Sequence, residues 1–62
     1  MADDRAQLAS VATALNELVD RVTRLADECK AADDDRTATE LFEVERTLRQ
    51  AGRRLDRLVR GV

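Results

Sequence analysis

Residues 8–32 read LASVATALNELVDRVTRLADECKAA. Leu8, Val11, Leu15, Leu18, Val22, Leu25, Cys29 and Ala32 follow one another at alternating spacings of three and four. That is a heptad pattern, with Leu8, Leu15, Val22 and Cys29 at a positions and Val11, Leu18, Leu25 and Ala32 at d positions. It predicts an amphipathic helix. A second stripe repeats the spacing: Leu41, Val44, Leu48, Ala51, Leu55, Leu58 and Val62.

The two stripes match when the chain folds back. Pairing positions whose numbers sum to 69 or 70 sets Cys29 against Leu41, Leu25 against Val44, Val22 against Leu48 and Leu18 against Ala51. Leu15 then meets Leu55, Val11 meets Leu58 and Leu8 meets Val62. Larger and smaller side chains alternate across several layers, as interdigitating cores require. One continuous helix is excluded by phase, because Ala32 and Leu41 lie nine residues apart and the stripe would swing off its face. The expected fold is therefore all-α: an antiparallel helical hairpin with helix 1 over about 4–32, a turn over about 33–36 and helix 2 over about 37–60.

Size bears on what the hairpin needs. The chain has 62 residues, with one Cys, no His and no Pro. A domain this small buries only about 60% of the surface its unfolded chain exposes, and usually needs a disulfide, a metal or self-association. One Cys makes no internal disulfide, and without His a zinc site of the usual ligands is missing. Self-association remains. Helix 1 is also apolar over a wider arc than one seam requires. Ala12, Val19 and Ala26 occupy e positions, and Ala9 and Ala14 flank the stripe. A wide face of small residues implies more than one neighbouring helix. Mid-helix Gly52 costs about 1 kcal/mol relative to Ala. It reads either as a site where a second chain's helix passes close or as a tolerated surface glycine. Together these features predict a homodimer of hairpins, a four-helix bundle, with Ala12, Val19, Ala26, Ala51 and Gly52 at the contact between chains.

Charge supports the hairpin. Residues 1–35 carry nine acids and four bases, net −5, and residues 36–62 carry four acids and seven bases, net +3, so the two helices attract. The same register matches Arg24 with Glu45, Glu17 with Arg53 and Lys30 with Glu40 at the edges. Asp3 and Asp4 suit a helix N-terminus. Thr37-Ala38-Thr39-Glu40 reads as a capping box for helix 2, with Asp34 and Asp35 as earlier alternatives. The Asp33–Asp35 run lacks the spacing, the Gly and the distal Glu of a calcium loop, and reads as a solvated, helix-capping turn.

Nothing in the chain resembles catalytic machinery. There is no His for acid–base work and no Gly-rich phosphate loop, and Glu40 and Glu43 stand on an open helix surface. No enzyme activity, cofactor or metal is expected. Cys29, at an a position, reads as a small buried hydrophobe. No run is long and apolar enough to span a membrane, and no leader is apparent, so a cytoplasmic protein with a reduced thiol is expected.

One surface feature stands out. On a helical wheel Phe42, Arg46, Arg49, Arg53, Arg57 and Arg60 lie within about 80° of one another, on the side away from the seam. Such a row docks an acidic partner helix, with Phe42 and the arginines as anchors. Alternatively it tracks phosphates with Phe42 stacking, or is simply a solvated face with Phe42 folded over the turn. The acidic pI of about 5.0 and the acidic first helix weigh against nucleic acid. The favoured function is a non-enzymatic protein-interaction or dimerisation module, an adaptor or regulator. A nucleic-acid-binding regulator using the Arg row is the alternative. Partners are then a second copy of the chain and an acidic protein, with no membrane.

Overall fold

The computed structural model describes residues 3–61. Two helices pack against each other as a hairpin: α1, Asp3–Ala31, and α2, Asp35–Gly61. The Cα atoms span 49 × 14 × 11 Å, so the molecule is two helices wide and one helix thick. Helix 2 starts two residues before the expected Thr37. Val62, expected opposite Leu8, lies outside the described residues.

The turn is closed by backbone and side-chain bonds. Asp33 takes the left-handed conformation at φ 61°. Its N–H donates to the Lys30 carbonyl at 3.1 Å, and the Asp34 N–H donates to the Cys29 carbonyl at 2.8 Å. This is the Schellman arrangement, which satisfies the last carbonyls of a helix. Asp34 also starts α2. Its carboxylate accepts from the Thr37 N–H at 3.2 Å, and its carbonyl accepts from the Ala38 N–H at 3.1 Å. Asp34 is thus the N-cap, in place of the Thr37 capping box.

The two heptad stripes do meet, but not through both of their positions. The buried residues are Ala12, Val19 and Ala26 on α1 and Ala38 and Gly52 on α2. These are e positions, or continue the e line toward the turn. The a residues Leu8, Leu15, Val22 and Cys29, with Leu41, Leu48 and Leu55, are half-buried beside them. The d residues Val11, Leu18, Leu25, Val44 and Leu58 keep 44–53% of their surface exposed. The seam therefore runs along a and e, not along a and d.

The reason is steric. Two helices approach closest where small side chains face each other, and Ala12, Ala26, Ala38 and Gly52 supply that line. Leu18 and Ala51, expected in one layer, both lie on the outer side. Register shifts with rotation. Thr23 meets Glu45, and a Cβ placed on Gly52 would lie 3.6 Å from Asn16 Oδ1 and 3.7 Å from Leu15 Cδ2. These pairs sum to 67 or 68, about two below the expected 69 or 70.

Candidate functional site

The rotated seam leaves each helix with an apolar flank and a polar flank. Residues advance by about 100° around an α-helix. Measured from Val19 on α1, the line Leu15, Val22, Leu18, Leu25 lies to one rotational side. Measured from Glu45 on α2, Leu41, Leu48, Val44, Ala51 and Leu58 lie to the same rotational side. In two antiparallel helices that face each other, equal rotation leads to the same face of the pair. The d residues of both helices therefore form one apolar face, open over the middle of the hairpin. Among the described residues no large side chain is fully buried, and Leu18, Leu25 and Leu58 keep 44–51% of their surface exposed.

The opposite face is polar. Asn16 and Asp20 of α1, with Arg49, Arg53 and Asp56 of α2, line a shallow groove beside Gly52. Glu45 stands at its edge, in the seam line itself. Its carboxylate accepts a hydrogen bond from the Thr23 hydroxyl, which also lies 3.0 Å from the Val19 carbonyl. The Arg49 guanidinium donates to Glu45 at 3.1 Å. The Thr23 hydroxyl and then Arg49 hold the Glu45 carboxyl below the usual carboxylate range.

The residues singled out from sequence fall in three places. Ala12, Val19, Ala26 and Gly52 are buried inside the hairpin, between helices of one chain. Ala51 is exposed on the apolar face. Arg46, Arg49, Arg53, Arg57 and Arg60 are exposed, but their row starts beside the seam at Arg49 rather than opposite it. Phe42 is half-buried and does not head an open row. Arg46 lies 3.4 Å from Glu43, and Arg49 pairs with Glu45. Among the described residues these are the ion pairs. The expected pairs Arg24–Glu45, Glu17–Arg53 and Lys30–Glu40 do not form, because register and rotation both moved.

Val11, Leu18, Leu25, Val44 and Leu58, which the expected pairing sets in the seam between the two helices, are exposed in the hairpin. The excess width of the apolar arcs carried the signal. An arc spanning a, d and e cannot be covered by one neighbour, and the small e residues mark which edge that neighbour takes. Among the described residues no three His, Cys, Asp or Glu side chains gather around a point where a metal ion would sit. No helix among them is long and apolar enough to cross a membrane. Compared with protein-family models, with curated proteins and with solved structures, the chain matches none of them.

Proposed function

We propose that this chain is a non-enzymatic helical interaction module, an adaptor or regulator, whose working surface is the apolar face. One observation carries it: two d stripes, one from each helix, stand open side by side on a single face. A continuous exposed apolar patch on a small protein marks a contact surface. Spaced at heptad intervals on rigid helices, it suits other helices as partners. The polar face suits solvent. Two of its arginines already face Glu43 and Glu45 of their own helix, so a polyanion there would compete with those carboxylates. A reducing cytoplasm, where Cys29 stays a thiol, fits a module with one cysteine.

Site-specific photo-cross-linking in cells tests this. A cross-linking residue in place of Leu18 or Leu58 is expected to capture protein, and the same residue in place of Arg46 is expected to capture little. Efficient capture at Arg46 with none at Leu18 and Leu58 would overturn the proposal in favour of the Arg row.

A further inference from the structure

We infer that the occupant of the apolar face is a second copy of this chain, laid face to face with its turn at the opposite end, so that two hairpins close a four-helix bundle. This rests on the apolar face being the working surface, and names what covers it.

Area comes first. A compact protein of 6.9 kDa exposes about 4,000 Å² by the scaling of surface with mass, while this hairpin exposes 4932 Å². The excess, about 900 Å², is close to the roughly 800 Å² per partner of a standard stable interface. An excess of that size suits one further partner on the apolar face.

Self-complementarity comes next. A two-fold contact requires that whenever residue i meets j, j meets i. Thr23 opposite Glu45 fixes the level of the helices. Leu18 then lies level with position 50, about one residue rise, or about 1.5 Å, from Ala51. A two-fold axis crossing the face at that level sets Leu18 against Leu18 of the second copy and Ala51 against its Ala51. Val11 meets Leu25 of the second copy, and Val44 meets its Leu58. Each outer layer joins a smaller to a larger side chain, and the central Leu pair stands beside the central Ala pair.

Charge selects the direction. Around the turn, residues 27–43 hold seven acids and two bases, net −5. At the open end, residues 3–16 and 52–61 together hold five Arg and three Asp, net +2. The hairpin is therefore polarised along its 49 Å length. Copies with turns at opposite ends lay each acidic turn beside a basic end. Copies with turns at the same end would stack two Asp33–Asp35 runs together, which like-charge repulsion disfavours.

The test uses the full chain. Sedimentation equilibrium is expected to give a dimer, and Leu18→Lys, alone or with Leu58→Lys, a helical monomer. In a Cys29→Ala background, a spin label at Arg36→Cys reports turn-to-turn distance without disturbing the face. Opposite ends give a separation near the length of the molecule, and same ends give less than half of it. A dimer with the short separation overturns the inferred orientation. A monomer at all concentrations up to 100-fold above those in cells overturns the second copy altogether. In that case, capture of a different protein from position 18 in cells leaves the interaction function standing. A dimer that survives the Leu18 and Leu58 substitutions but dissociates when Arg53 and Arg57 are replaced by Glu overturns both.

Discussion

Glu45 is a half-buried charged side chain in the line of the seam, between Ala38 and Gly52, and its neighbours explain how it is tolerated. Thr23 and Arg49 both donate to its carboxylate, so the charged form is favoured and its pKa is lowered. A carboxyl whose pKa is lower folded than unfolded adds stability above the unfolded value, and loses it as pH falls through the folded value. Glu45→Gln is therefore expected to lose less stability than the parent chain between pH 7 and pH 3, measured as the shift in urea midpoint. Two more residues act through the backbone. Asp33 holds φ 61°, a conformation that costs a residue with a Cβ about 1–2 kcal/mol and Gly almost nothing. Asp33→Gly is expected to stabilise by about 1 kcal/mol, less the greater freedom of Gly in the unfolded chain, as a rise in Tm. At Gly52 the added methyl of Ala would find only ordinary contacts, at 3.6 and 3.7 Å. Gly52→Ala is then expected to raise stability by about 0.5–1 kcal/mol, without separating the helices.

At the scale of the elements, much of the fold was legible. Two heptad stripes broken in phase after Ala32 give two helices and one turn, because a stripe must stay on one face to be buried. Rotation about the helix axes was not legible from the a/d assignment. A rotation of some 50° moves the seam from a/d to a/e while keeping the same residues apolar. Only the sizes at Ala12, Ala26, Ala38 and Gly52 distinguish the two, since they decide how near the axes come. The same rotation explains the site. Phe42 turns toward the seam edge, the arginines flank the polar groove, and Val19 lies inside the hairpin. Capping chemistry alone does not place the start of α2, since both Asp34 and Thr37 are suitable caps, and the Schellman turn at Asp33 selects the earlier one. Asp34 serves both helices, so Asp34→Ala is expected to cost about 1 kcal/mol through the cap on α2, seen as a lower Tm with a frayed first turn in amide exchange.

For the whole molecule, the balance lies between a thin intramolecular seam and a broad open face. Four apolar residues and one glycine are buried among the described residues, and a seam of that size gives a marginal fold. If a second copy covers the face, folding and association are linked by mass action. The Tm is then expected to rise with protein concentration, by several degrees over a hundredfold range, while Leu18→Lys gives a Tm that is lower and independent of concentration. Leu18→Asp, which a buried a/d seam would have made an unfolding substitution, is expected to leave a helical monomer for the same reason. That variant is measured by far-ultraviolet circular dichroism beside sedimentation.

The tight turn has a kinetic consequence. Asp33 and Asp34 close the chain within a few residues, and every later pair in the seam forms next to one already made. The search is therefore local, and hairpins built from local pairs form in microseconds. Meeting a second chain is diffusive and slows in proportion to dilution. In a refolding experiment the helical signal is then expected in a fast, concentration-independent phase. Pairing of two hairpins, as inferred above, would add a second phase whose rate is set by how often finished hairpins collide.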